Sequence, residues 1–168
     1  MDYIITTSGT SGTPKPVYVT SSSIKPNIVD IQNEFQLQTS DVIFLSSPFT
    51  FDPSLIDIFV SLLSGCVLVA VPSLHKLKYS ANLVSHLSIT VLQCTPSLFK
   101  LLFSSKKHMA SSELRIVAVG GEQCSVSIRD TLKDLMINGV KVYHLYGLTE
   151  ISVWQSLIKV FSKYYFVS

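Results

Sequence analysis

Residues 115–150 read RIVAVGGEQCSVSIRDTLKDLMINGVKVYHLYGLTE, and this stretch decides the fold. Arg115 to Val119 and Lys141 to Leu145 are short β-prone runs that are apolar on both faces. Between them, Ile128, Leu132 and Leu135 share one face of a helix over Ser127 to Met136, while Arg129, Asp130, Lys133 and Asp134 point away. A helix joining two doubly apolar strands specifies a parallel pair with a right-handed crossover.

Working outward, the same alternation repeats toward the N-terminus. Strands are expected at Val42–Leu45, Cys66–Val71 and Ile89–Cys94, and helices at Pro53–Ser64, Lys78–Leu87 and Pro96–Phe103. Ile24, Ile28, Ile31 and Phe35 fall on one face of an earlier helix, with Ser22 or Ser23 as its cap and Pro26 in its first turn. Tyr3–Thr6 and Val17–Val19 read as a hairpin joined by the polar loop Thr7 to Pro16. The fold class is therefore α/β, a largely parallel sheet flanked by helices.

Ligands of such sheets bind beyond the carboxyl ends of the strands. The unusual sequence sits there: Ser46 to Asp52, Thr95-Pro96, Gly120-Gly121-Glu122 and Tyr146-Gly147-Leu148-Thr149-Glu150. Four such segments on one rim predict a single composite site.

Composition narrows the function. The chain has 168 residues, 14% charged and 47% hydrophobic, with a net charge of +2 and a mean hydropathy of +0.41. That excludes disorder, and thirteen Lys/Arg without a dense run argue against nucleic acid as a partner. Scarce charge also implies apolar surface covered by missing domains or by a protein partner. Cys66, Cys94 and Cys124 form no CxxC pair and are expected to be buried core thiols in a reducing, cytoplasmic setting. No signal peptide is visible, and Leu55 to Pro72 is expected to be a buried helix–strand pair, not a membrane span. His75, His86, His108 and His144 show no metal-ligand spacing.

Thr7-Ser8-Gly9-Thr10-Ser11-Gly12-Thr13-Pro14-Lys15 offers glycine backbone, five hydroxyls and a lysine, equipment for a polyphosphate. A Ser/Gly hairpin tip is the plainer reading. GxxxxGK[ST] and GxGxxG are both absent, which disfavours a Walker or dinucleotide site.

TTSGTSGTPK resembles the phosphate-binding loop of the adenylate-forming superfamily, which includes acyl-CoA synthetases, luciferases and peptide-synthetase adenylation domains. FDPS (Phe51–Ser54), GGE (Gly120–Glu122) and YGLTE (Tyr146–Glu150) resemble its later motifs, in order. SSPFTFDPSLIDIF, VLQCTPSLF and VAVGGE look closest to the branch that activates β-alanine. The resemblance runs from about Asp2 to Trp154, a partial adenylation domain over 1–154.

It implies attack of a carboxylate on the α-phosphate of ATP, giving an acyl-adenylate that passes to a thiol of coenzyme A or a phosphopantetheine carrier. By motif, Thr7 to Lys15 would hold the β- and γ-phosphates and Thr149 the α-phosphate. Glu150 would ligate Mg²⁺, and Gly120, Gly121 and Glu122 would line adenine and ribose beside Tyr146 and Gly147. Lys15, Thr149 and Glu150 are thus the expected catalytic set. Asp52 would bind a substrate ammonium, favouring β-alanine or another amino acid over a fatty acid. Plainer roles stand beside these: Gly120-Gly121 as a turn, Tyr146 as an edge aromatic, Glu150 as a helix-start acid and Asp52 as the N-cap before Pro53.

Two departures qualify the resemblance. Pro16 replaces the family's glycine after the lysine and removes a backbone N–H. The chain ends eighteen residues after Glu150, with no counterpart of the family's ribose aspartate, hinge or small C-terminal domain. The thiol-transfer step is therefore expected to be absent. The divergent tail, 155–168, reads as a replacement end or as a short membrane-surface or partner helix. The rival to a carboxylate-activating ligase is an inactive nucleotide-binding or protein-interaction remnant.

Overall fold

The computed structural model describes residues 3–7, 13–72, 80–104 and 113–160. Its order is β1 (Tyr3–Thr7), β2 (Lys15–Val19), α1 (Ser21–Phe35), β3 (Val42–Phe44), α2 (Pro53–Ser64) and β4 (Val67–Val69). There follow α3 (Ser80–His86), β5 (Val91–Cys94), α4 (Pro96–Leu102), β6 (Ile116–Gly120), α5 (Val126–Ile137), β7 (Lys141–Tyr146) and β8 (Ser156–Val160). β1 and β2 form an antiparallel hairpin, and the other six strands form one sheet in the order β4-β3-β5-β6-β7-β8. All neighbours in that sheet are parallel except β7 and β8.

The strands are apolar on both faces because helices cover both. Along β6, Ile116 and Ala118 join the core beneath α1 and α2, while Val117 and Val119 join the core beneath α3, α4 and α5. Every residue of β6 is buried, and a fully buried aliphatic side chain contributes about 1.5–3 kcal/mol. The connection from β3 runs outward to β4 and the next returns past it to β5. The chain reverses direction across the sheet there, and such a switch leaves a crevice at the carboxyl ends of the strands.

A polar clamp closes the opposite end. Arg115 Nε donates to Asp41 Oδ1 at 2.6 Å, and its terminal nitrogens donate to Asp41 Oδ2 and to the carbonyls of Phe35 and Gln36 at the end of α1. Asp41 also accepts from Gln38 N at 2.8 Å and Thr90 Oγ1 at 2.7 Å. Burial works against ionisation of Asp41, yet these hydrogen bonds and the guanidinium charge hold its carboxyl below its ordinary value.

Several expectations need correction. α1 starts earlier than Ser22 or Ser23 would set, because Thr20 caps it in a capping box with Ser23. Pro26 consequently lies beyond the first turn, inside the helix. β4 is shorter than Cys66–Val71, since only Val67–Val69 has a partner strand. α2 and β4 are not wholly buried: β4 is an edge strand, and Phe59, Leu62, Leu63 and Val67 face outward. Cys94 and Cys124 are buried, but Cys66 is half-buried with its thiol directed to Gln38 O. The described part of the tail is a strand rather than a helix, with Ser156–Val160 pairing against β7. Lys78 and Tyr79 of the expected third helix, His75 and His108 lie outside the described residues. Among the described residues no helix is long and apolar enough to cross a membrane.

Candidate active site

A cleft of about 460 Å³ opens at the carboxyl-terminal rim of the sheet. The hairpin contributes Thr7 and Lys15, the start of α2 contributes Asp52 and Pro53, and Gly121 enters after β6. After β7 come Gly147, Thr149 and Glu150, then Val153 and Trp154. Three of the four expected rim segments therefore meet in one place together with the hairpin, while Thr95-Pro96 does not line the cleft; the volume is within the roughly 300–1,000 Å³ usual for ligand sites.

Of the expected set, the cleft unites Thr7, Lys15, Asp52, Gly121, Gly147, Thr149 and Glu150. Thr13 and Pro14 are exposed on the approach to β2, and Ser8, Gly9, Thr10, Ser11 and Gly12 lie outside the described residues. Gly120, Glu122 and Tyr146 do not line the cleft. The Glu122 carboxylate accepts from Ser97 N at 3.0 Å and from the Ser97 hydroxyl, which ties the loop after β6 to the start of α4. Pro16 sits opposite Thr6 in the two-stranded hairpin, where a missing N–H is tolerated on an edge.

Both glycines that line the cleft are required by the geometry. Gly121 has φ +82°, a conformation that side chains disfavour. A Cβ on Gly147 would stand 1.7 Å from Val153 O, so the backbone after β7 packs against its own return.

Asp52 is 3% exposed, and its Oδ2 has no hydrogen-bond partner. It makes no side-chain cap to α2, and its backbone is helical rather than extended, so the N-cap role is not what the structure shows. Burial and, more weakly, the charge on Glu150 push its carboxyl above the ordinary value, against a lowering hydrogen bond from Thr149. Tyr3 shares the neighbourhood: burial and the Asp52 charge push its phenol up to about 12, and its hydroxyl is also buried without a partner. A buried carboxylate oxygen with an empty valence is costly unless a cation or donor meets it.

Glu150 is exposed on a 3₁₀ turn, Thr149–Ile151. Among the described residues no cluster of three protein groups could hold a metal. An ion here would rely on Glu150 together with phosphate and water oxygens, which is the ligand set Mg²⁺ takes. Lys15 is the only cationic side chain among the described residues lining the cleft.

Sequence reasoning missed Tyr3, Gln93 and Trp154. Gln93 is a polar residue in the fully buried β5, which was the available signal. Its amide donates to Pro53 O and Asp57 Oδ1, both at 3.2 Å, and accepts from Trp154 Nε1 at 3.0 Å.

The family model described as AMP-binding enzyme matches residues 1–164. The chain is 42% identical to the β-alanine-activating enzyme of Danio rerio and 38% to that of Homo sapiens, in each case over 94% of its own length. It spans only 14% and 15% of those proteins. The crystal structure of the Vibrio cholerae adenylation domain AlmE, in complex with glycyl-adenosine-5'-phosphate, superposes with a TM-score of 0.84 at 29% identity. That match covers 95% of this chain and 30% of AlmE.

Proposed function

The chain belongs to the AMP-binding enzyme family, and from that premise we propose that it is the nucleotide-binding part of a ligase that activates an amino acid. The carboxylate of β-alanine or a similar amino acid attacks the α-phosphate of ATP, giving an aminoacyl-adenylate and pyrophosphate. In the whole enzyme the acyl group then passes to a phosphopantetheine thiol.

The observation that carries this reading is Asp52: a buried carboxylate with an unpartnered oxygen in the same cleft as Lys15, Thr149 and Glu150. A substrate ammonium satisfies that oxygen, whereas a fatty acyl chain leaves it bare. Lys15, with Thr7 at the base of the hairpin, neutralises charge on the β- and γ-phosphates, and the Thr149 hydroxyl donates to the α-phosphate where charge builds during attack. Glu150 holds Mg²⁺, which when bound supplies electrostatic stabilisation to the phosphate oxygens. Tyr3 remains a neutral phenol and offers a further donor beside Asp52.

Amino-acid-dependent exchange of labelled pyrophosphate into ATP tests the reading. Exchange stimulated by β-alanine and lost in Lys15→Ala supports it. Exchange absent at high protein concentration supports a remnant without catalysis.

A further inference from the structure

The segment after β7 that carries Thr149 and Glu150 follows a strained path. Ser152 and Val153 carry φ of +62° and +79°, and Trp154 N donates to Ser152 O at 3.2 Å. Val153 therefore stands at the centre of a three-residue turn of the rare, positive-φ kind. A β-branched residue holds such a conformation only where its surroundings over-determine it. The bonds Ile151 N to Leu148 O at 3.0 Å and Ser152 N to Thr149 O at 3.3 Å are internal to the segment and do not anchor it.

An anchor comes from α1. Asn27 Nδ2 donates at 2.5 Å to the carbonyl of Trp154, the last residue of that turn, across 127 positions of sequence. Gly147 closes the other side, where a Cβ would stand 1.7 Å from Val153 O. Asn27 is half-buried on α1, beside Ile24, Ile28 and Ile31, which fix the helix in the core. Only Thr20 separates α1 from β2, and β2 begins with Lys15. One hydrogen bond thus joins the unit that carries Lys15 to the segment that carries Thr149 and Glu150. β2 also packs against the turn Thr149–Ile151. Asn27 itself does not line the cleft.

We propose that Asn27 is a positioning residue that sets Thr149 and Glu150 against Lys15, so that ATP meets a preformed phosphate site. This rests on the nucleotide-binding reading above and extends it to a residue outside the cleft. With the bond removed, the turn at Val153 relaxes toward negative φ. Glu150 then leaves the position from which it would share Mg²⁺ with the phosphate oxygens.

The test is isothermal titration of the 168-residue chain with ATP, in the presence and absence of Mg²⁺, and with a non-hydrolysable sulfamoyl-adenosine analogue carrying a β-alanyl group. The wild type is expected to gain at least about 10-fold in ATP affinity from Mg²⁺. Asn27→Ala should cut that gain to about 3-fold or less, and in a Glu150→Gln background it should have no further effect, because Asn27 acts through Glu150. Trp154 is the sole tryptophan, so its emission in the ligand-free chain should shift in Asn27→Ala. Asn27→Leu keeps the volume, suits a helix and removes the donor; it should narrow the gain in the same way, and it decides the matter if Asn27→Ala does not fold. A folded variant that keeps the wild-type gain overturns the positioning role, whatever its melting temperature or emission. A wild type that binds ATP without a gain from Mg²⁺ overturns the role given to Glu150, and the positioning with it. Failure to bind ATP or the analogue overturns the nucleotide-binding reading itself.

Discussion

Asp52 lies buried in the cleft that Glu150 also lines, close enough for the charge on Glu150 to raise the pKa of its carboxyl. Two acids converge where an anionic ligand must also enter. Cations have to balance them, and an ammonium at Asp52 and Mg²⁺ at Glu150 would do so.

Asp52→Asn should therefore separate stability from binding. Burial raises the carboxyl above its unfolded value, so Asp52 favours the fold most below its unfolded pKa, and that contribution is lost as pH rises through the folded pKa. Above that folded pKa the ionised group opposes folding, and there the amide should stabilise the chain by about 1 kcal/mol. Affinity for the β-alanyl analogue should fall about 10-fold or more, because the charge that meets the ammonium is gone. In the wild type that affinity should decline on acidification through the Asp52 pKa, and the decline should vanish in the variant. Melting curves and titrations between pH 4 and 8 check both arms.

Lys15→Ala should weaken Mg·ATP about 10-fold, since a charge-assisted hydrogen bond contributes about 1.5–3 kcal/mol. Lys15 is exposed, so the melting temperature should not move. Glu150→Gln should weaken Mg·ATP while leaving affinity for metal-free ATP unchanged or higher. Titration with and without Mg²⁺ distinguishes the two effects.

At the far end of the sheet, Asp41→Asn should destabilise the fold by about 3 kcal/mol, because it leaves the Arg115 guanidinium short of its counter-charge. The pH dependence has the opposite sign to that of Asp52. Asp41's folded pKa is depressed, so its stabilisation is present above the unfolded carboxylate pKa and lost as pH falls through the folded value. Acid denaturation should flatten in the variant, and urea melts between pH 2 and 6 measure this.

Gly147→Ala should cost about 3 kcal/mol or more, since the new Cβ meets Val153 O at 1.7 Å. Relief requires moving the segment that carries Trp154, so ATP affinity and tryptophan emission should change together. A variant with wild-type stability and emission would show that the close approach is not needed.

Local periodicity made most of the fold legible. The predicted face of α1, Ile24, Ile28, Ile31 and Phe35, is the buried one, as is that of α5, with Ile128, Leu132 and Leu135. Each rim segment could also be read, because glycine, hydroxyl and carboxylate residues interrupt apolar runs at strand ends. What stayed hidden depends on distant partners. Trp154 and Gln93 are 61 positions apart, and neither shows that it completes the other. Tyr3 looked like a strand residue because only the folded chain sets it beside Asp52. The strand Ser156–Val160 exists because β7 offers an open edge, and its own residues do not announce it. Asp52-Pro53 has the residues of a helix cap, but the backbone at Asp52 is helical and its side chain makes no cap hydrogen bond.

The most direct test of the account is a thermal melt of the chain with and without millimolar Mg·ATP. Ligand at about 100 times its Kd adds about 2.7 kcal/mol to the native state. The account predicts a cooperative transition that nucleotide moves upward by several degrees, and a shift that shrinks in Lys15→Ala. A transition indifferent to ATP would contradict it, because the rim segments would then share one cleft without forming a nucleotide site.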